Sequence, residues 1–165
     1  MNLKDKLVSS YLAFDDHLED DSPIHEIRKK AIHTFEKKGF PTKKEEDWKY
    51  TSLKSILNKD YSVFPKGNKE VKFKKVRNYF LYDIDSYKLV FIDGVYSSFL
   101  SETTHDGLDI CLLSAALSKS KYKASIENYY NQAASKNSIT SLNTAFAKEG
   151  AYINIPKNKE VEKPI

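Results

Sequence analysis

Residues 87–100 read YKLVFIDGVYSSFL, two β-rich apolar runs on either side of Asp93-Gly94. Asp-Gly is the dipeptide best suited to a two-residue hairpin turn, because both central residues of that turn need positive φ. A hairpin over 87–100 therefore sits in a chain whose other strongly periodic stretches are helical. That combination makes the fold class α+β.

Working outward toward the N-terminus, Leu3, Leu7, Tyr11, Phe14 and Leu18 recur at spacings of four, four, three and four, one face of an amphipathic helix. The acidic run at 15–21 breaks it. Ser22-Pro23 then reads as an N-cap with proline at the first helical position. Ile24, Ile27, Ala31, Ile32 and Phe35 form the next stripe. Lys37 and Lys38 suit a helix C-terminus, Gly39 suits a left-handed stop, and Pro41 forbids continuation. A third helical stretch is expected within 43–58, with Trp48, Leu53, Ile56 and Leu57 inward. The alternation Val71-Lys72-Phe73-Lys74 predicts a short strand.

Toward the C-terminus, Leu108–Leu112 predicts a strand and Ser114–Lys119 a short helix. Residues 122–132 and 138–148 predict further helices, the latter with Leu142, Ala145 and Phe146 inward and Gly150 ending it. From Ala151 the period changes: Tyr152, Ile153 and Ile155 read as a strand, Pro156-Lys157-Asn158 as a turn, and Val161 as a further extended run. A lone two-stranded element is marginal in water, so these strands need partners. They are expected to be frayed, or paired between copies. The domain reading is a helical region over 1–58, a mixed region over 59–150 containing the hairpin, and the first strands of a β domain over 151–165.

The 165 residues are 40% hydrophobic and 30% charged, a globular balance. No apolar run reaches about 18 residues, so no membrane span is expected. The opening MNLKDKLVSSYLAFDDHLEDD lacks the features of a signal peptide. Cys111 is the only cysteine, which excludes an internal disulfide and agrees with a reducing cytoplasm. The net charge of +4 is unevenly spread: residues 15–21 hold five acids, and 65–78 hold six bases against one acid. The basic run reads first as a solvated loop or a lysine-protected edge strand.

Catalytic and metal-binding motifs fail one after another. His17, His25, His33 and His105 include no pair four residues apart, so no HExxH-type zinc site exists. His25 and His33 lie eight residues apart, roughly 80° around a helix, which allows them one surface and a structural role. Cys111 between Ile110 and Leu112 is an apolar thiol with a raised pKa, not a nucleophile. No Gly-rich phosphate loop and no GxSxG elbow occurs. No catalytic, cofactor or metal residue is assigned, and the chain is expected not to be an enzyme.

Two stretches carry a family resemblance. The first is Gly39-Phe40-Pro41-Thr42, then Glu46, Trp48-Lys49-Tyr50-Thr51 and Leu53, with Arg28 and Ala31 upstream. The second is Leu142-Asn143-Thr144-Ala145-Phe146, Gly150, Ile155-Pro156 and Glu162-Lys163-Pro164-Ile165. In this order they resemble SufD-type subunits of the Suf iron–sulfur cluster assembly machine, from the second helix onward. Lys148-Glu149 departs from the family's usual amide–acid pair, and 59–80 is unusually rich in lysine.

The resemblance implies an N-terminal helical domain with a small β element, ending at the start of a right-handed parallel β-helix. It implies a scaffold subunit of the SufBCD complex, with a SufB-type paralogue and a SufC-type ATPase as partners. The complex handles iron–sulfur clusters, but the cluster-building residues would lie beyond Ile165, leaving no cofactor in this segment. Trp48 and Tyr50 are expected to anchor the helices, with a partner-binding hot spot as the other role for Trp48-Lys49-Tyr50. The competing function is a small basic nucleic-acid-binding module using Lys66–Arg77; nucleic acid is the less favoured partner. A hydrolase or transferase using His105 has no spacing in its support.

Overall fold

The computed structural model describes residues 2–15, 23–64, 71, 73–81, 83–102, 107–132, 137–147 and 149–165. Its helices are α1 (Leu3–Asp15), α2 (Pro23–Lys38), α3 (Lys54–Leu57), α4 (Phe73–Val76), α5 (Leu113–Leu117), α6 (Ser120–Tyr129) and α7 (Ser138–Phe146). Its strands are β1 (Phe91–Ile92), β2 (Val95–Tyr96), β3 (Asp109–Leu112) and β4 (Ala151–Asn154), and single 3-10 turns occupy Glu46–Trp48 and Arg77–Tyr79. These elements divide into two units, each assembled from separated stretches: Met1–Val63 with Ala124–Lys148, and Phe64–Lys123 with Glu149–Ile165.

The first unit is helical, and its core follows the apolar stripes. Tyr11 from α1, Ala31, Ile32 and Phe35 from α2, and Ala145 from α7 are buried together, with Leu7, Val8, Phe40, Leu142 and Phe146 against them. The Ser22 cap and Leu18 lie outside the described residues. At the other end of α2 the expected stop is present: Gly39 takes φ +67° and its N–H donates to the Phe35 carbonyl at 2.7 Å. That is the single-bond left-handed C-cap, which a side chain would strain. The chain then turns so that Phe40 meets Phe35 edge to face, ring centres 5.0 Å apart.

The third helical stretch differs from expectation. Residues 43–58 form only the Glu46–Trp48 turn and the one-turn α3. Trp48, Leu53 and Leu57 are half-buried, and Ile56 is exposed. Apolar positions at 48, 53, 56 and 57 are spaced five, three and one, so no continuous stripe exists to hold a longer helix on the core. The early turn is fixed locally instead, the Thr42 N–H donating to the Glu45 carboxylate at 3.0 Å in capping-box fashion. α7 is capped by Asn137, whose side chain accepts from the Thr140 N–H at 2.8 Å. It stops at Phe146 rather than at Gly150.

In the second unit the hairpin is where residues 87–100 place it. Phe91 pairs with Tyr96 and Ile92 with Val95, while Asp93 and Gly94 take φ of 50° and 78°. Both turn residues are thus left-handed, as a primed two-residue turn requires. Of the predicted strand at 71–74, Lys72 lies outside the described residues and Phe73 and Lys74 are instead helical: α4 starts at Phe73, and Phe73 stacks on Phe80 with centres 5.7 Å apart. Residues seven apart share a helix face, whereas an extended chain would separate them by about 23 Å.

β3 forms as expected, and its partner corrects the expectation for the C-terminal strand. β4 pairs antiparallel with β3 of the same chain, Asp109 opposite Asn154 and Leu112 opposite Ala151. It is therefore neither frayed nor dependent on another copy. Gly150 belongs to this join, its carbonyl accepting the Leu113 N–H at 2.8 Å. Among the described residues every ladder is antiparallel.

Phe35 has no exposed surface. Truncating it leaves a cavity the three helices cannot close. Phe35→Ala is expected to lower unfolding stability by about 3–5 kcal/mol in urea titration; a loss near that of exposed Leu12→Ala would show the core to lie elsewhere.

Candidate functional site

Among the described residues, two polar clusters are the most organised chemically, one in each unit. In the helical unit, Asp15 closes α1 and faces the first turns of α2. Its Oδ1 lies 3.5 Å from His25 Nε2 and its Oδ2 lies 3.9 Å from Lys29 Nζ. One turn along α2, buried Arg28 donates from Nε to the Ala145 carbonyl of α7 at 3.1 Å. Its guanidinium also stands 5.9 Å from the Phe14 ring centre of α1. Arg28 thus touches both neighbours of its own helix.

Burial, reinforced by the Asp15 charge, pushes the Tyr11 hydroxyl up to about 12. Burial likewise raises Tyr130. Tyr11 Oη, Asp15 Oδ1 and Arg28 Nη2 are buried without a hydrogen bond among the described residues. Their arrangement holds charge inside a helix junction, and its chemistry is that of a structural clamp.

In the second unit, Asp109 at the start of β3 collects three donors. Tyr122 Oη donates to Oδ1 at 2.6 Å; Asn154 Nδ2 and Lys121 Nζ donate to Oδ2 at 3.1 and 3.4 Å. These bonds, the Tyr122 one foremost, hold the Asp109 carboxyl below the usual carboxylate range, and the same bond raises Tyr122. Tyr122 also packs on Tyr152, ring centres 4.9 Å apart. Asn154 is the cross-strand partner of Asp109, so strand register itself supplies the third group. Nearby, the Glu149 carboxylate accepts from the backbone N–H and the hydroxyl of Ser114, and from the Gly150 N–H at 2.9 Å. Glu149 is thus part of the join between β3, α5 and β4.

A cleft of about 550 Å³ runs along α2 and α7, walled by Lys30, Thr34, Asn131, Thr140 and Thr144 among others. Its hydroxyl protons are already committed: Thr34 donates to the Lys30 carbonyl, Thr140 to Asn137 Oδ1 and Thr144 to Asn131 Oδ1.

The family-signature residues fall into two groups. Gly39, Phe40, Pro41 and Phe146 are packing residues, Phe146 meeting Tyr11 edge-on at 6.0 Å. Thr42 and Thr51 are turn residues, the Thr51 N–H donating to the Trp48 carbonyl at 2.9 Å. Glu46, Lys49 and Asn143 are exposed, and Glu46 pairs with Lys49 at 3.8 Å. Tyr50 corrects the expectation that it anchors helices: it is 90% exposed, with Lys49 Nζ 5.6 Å from its ring centre. Trp48 is half-buried. Gly150 joins β4 to α5, and the Pro156 carbonyl accepts from Lys159 in a surface turn.

The histidines separate too. His25 is buried and His33 is exposed beside Glu36 at 3.3 Å, so the two do not share a surface; His17 and His105 lie outside the described residues. Burial raises the Cys111 thiol, against a lesser opposing effect of Lys119. Among the described residues no three His, Cys, Asp or Glu side chains gather to hold a metal, and no helix is long and apolar enough to cross a membrane. Sequence reasoning noted Arg28 only as part of a signature and missed the Asp109 cluster entirely. The only signal was an Asp and an Asn at opposed strand positions, visible once the register is known.

Residues 1–165 match the family described as the SufBD protein N-terminal region. This chain belongs to that family. The SufBD-family chain is 28% identical over 147 residues to the iron–sulfur cluster assembly SufBD family protein slr0076 of Synechocystis, covering 88% of this chain and 32% of that protein. It is 39% identical over 66 residues to the iron–sulfur cluster assembly protein SufD of Escherichia coli, covering 40% of this chain and 15% of that protein. The matched stretches thus span a third or less of these curated relatives.

The raised Tyr11 pKa carries a stability consequence. Below pH 10 the hydroxyl is protonated in folded and unfolded chains alike; between 10 and about 12 only the folded chain keeps its proton. Stability then falls by about 1.4 kcal/mol per pH unit across that window. Tyr11→Phe is expected to remove this part of the alkaline slope in urea titrations from pH 9 to 11.5; an unchanged slope would place the buried hydroxyl elsewhere.

Proposed function

We propose that this SufBD-family chain is the N-terminal domain of a SufD-type scaffold subunit in an iron–sulfur cluster assembly complex. The observation that carries the proposal is the family match across residues 1–165. The 66-residue similarity to a SufD protein supports the finer assignment. In this reading the segment is not catalytic. Its polar clusters serve the junctions of helices and strands, Arg28 bonding to α7 and Asp109 to α6 and β4.

The whole subunit would continue into a right-handed parallel β-helix and work in the cytoplasm beside a SufB-type paralogue and a SufC-type ATPase. Iron–sulfur clusters would be the cargo of that complex, built by residues outside this segment. The fold of residues 1–165 would then be a positioning domain, presenting surfaces rather than reacting groups.

Affinity purification of the tagged protein, expressed from its complete gene in its own cell, addresses this directly. A paralogue and an ATPase are expected to co-elute with it through gel filtration in comparable amounts. Elution of the protein alone, with cluster-dependent enzymes unaffected by its deletion, would remove the assignment.

A further inference from the structure

The extended segment 87–92 has two edges, and only one of them is filled. On the hairpin side the Lys88 N–H donates to the Glu102 carbonyl at 3.3 Å, and the Glu102 N–H donates back to Lys88 at 2.7 Å. Val90 accepts from the Ser97 N–H at 2.9 Å and donates to Ser101 Oγ at 2.9 Å. Backbone groups of successive residues point to opposite edges, so Tyr87, Leu89 and Phe91 turn theirs away from the hairpin. On that outer edge the Tyr87 N–H donates to the Pro164 carbonyl at 2.8 Å. Among the described residues no hydrogen bond reaches the Leu89 N–H, and Phe91 stands opposite Tyr96 where an antiparallel ladder aims its groups outward.

A groove of about 830 Å³ runs beside this segment, walled by Val76, Tyr79, Phe80, Leu81 and Ile84 and entered by Pro164 and Ile165. The direction of entry follows from the contacts. Lys163, just before Pro164, pairs with Asp85, two residues before Tyr87, at 2.6 Å. Ile165 then lies in the groove that residues 89–92 also line, so the two segments run the same way. Proline has no N–H, which rules out the two-way exchange of an antiparallel pair between Tyr87 and Pro164. Leu89 and Phe91 put no charge or proline on the outer edge, the devices that keep an edge from pairing.

We infer that this edge receives, as a parallel strand, the polypeptide directly following Ile165. The inference rests on the reading above that the complete subunit continues past that residue. The bond from Tyr87 to Pro164 sets the register: the Leu89 N–H takes the carbonyl of the first residue beyond Ile165, and the Phe91 N–H that of the third. Ile165 already lies against the groove, so the second and fourth residues beyond it share its face, are apolar and cover Tyr79 and Leu81. A helix spends its own backbone groups internally and has none to offer an edge, so the occupant is extended. The chain's own continuation is tethered at Pro164, at an effective concentration that a separate segment does not reach.

Hydrogen exchange of the complete protein, expressed from its whole gene and resolved to single amides by fragmentation mass spectrometry, tests the strand. The Leu89 and Phe91 amides are expected to exchange within about tenfold of Ser97 and Glu102, whose bonds lie inside the hairpin, at every protein concentration. Exchange of Leu89 and Phe91 at the rate of free amides, with Ser97 and Glu102 still slow, would overturn it. Protection that appears only at high concentration would give the edge to a second copy and overturn it equally.

Leu81 is largely exposed, so Leu81→benzoylphenylalanine places a photoreactive group in the groove without disturbing the core. Irradiation is expected to join it, within one chain, to the residues just beyond Ile165; a crosslink to another protein instead would overturn the strand. Failure of the partners to co-purify removes the SufD-type assignment and leaves these amides as they are. Unprotected Leu89 and Phe91 in a protein that does co-purify with its partners remove the strand alone.

Discussion

The helical unit depends on one buried cation. A guanidinium is charged at every accessible pH, so Arg28 inside the junction needs compensation from what surrounds it. Compensation comes from the carbonyl of Ala145, 117 residues away, within the last turn of α7. The final carbonyls of a helix lack intrahelical donors and carry the negative end of its dipole. One bond therefore ties a buried cation to an orphan carbonyl, although Arg28 Nη2 has no hydrogen bond among the described residues. Phe14 of α1 meets the same guanidinium through its ring. Residues 124–148 are in this sense the completion of a fold begun by residues 1–63, and residues 64–123 of the second unit lie between them in sequence.

The same logic of closure by a late segment recurs in the second unit. β3 ends in α5 and finds its partner only at β4, some 40 residues on. Asn154 then becomes a donor to Asp109, and the Gly150 carbonyl receives Leu113. Hydrogen bonds rather than a large apolar core hold this part together, which fits its short strands and its many exposed apolar side chains. Such a unit presents surface readily.

What was legible in sequence was whatever has a local cause. The α2 stripe with Gly39 after it, and Asp93-Gly94 between β-rich runs, announce their conformations within a few residues. What was hidden has a distant cause. The partner of β4 cannot be found by periodicity, because pairing depends on register. Phe73 alternates with lysines like a strand residue, yet its stacking on Phe80 makes a helical turn better. Tyr50 looks like a core aromatic, but the surrounding segment lacks a stripe to draw it inward and it stays in water. Arg28 and Asp109 are ordinary charged letters until folding brings Ala145, Tyr122 and Asn154 to them.

The claim that α7 completes the N-terminal helices is most directly measured by native-state hydrogen exchange, comparing the intact protein with Arg28→Met. Losing a buried bond to a charged donor is expected to lower the opening free energy of α2 and α7 amides together, by about 2 kcal/mol. If α2 kept its protection while α7 alone exchanged faster, the two would be independent and Arg28 would not be the tie between them.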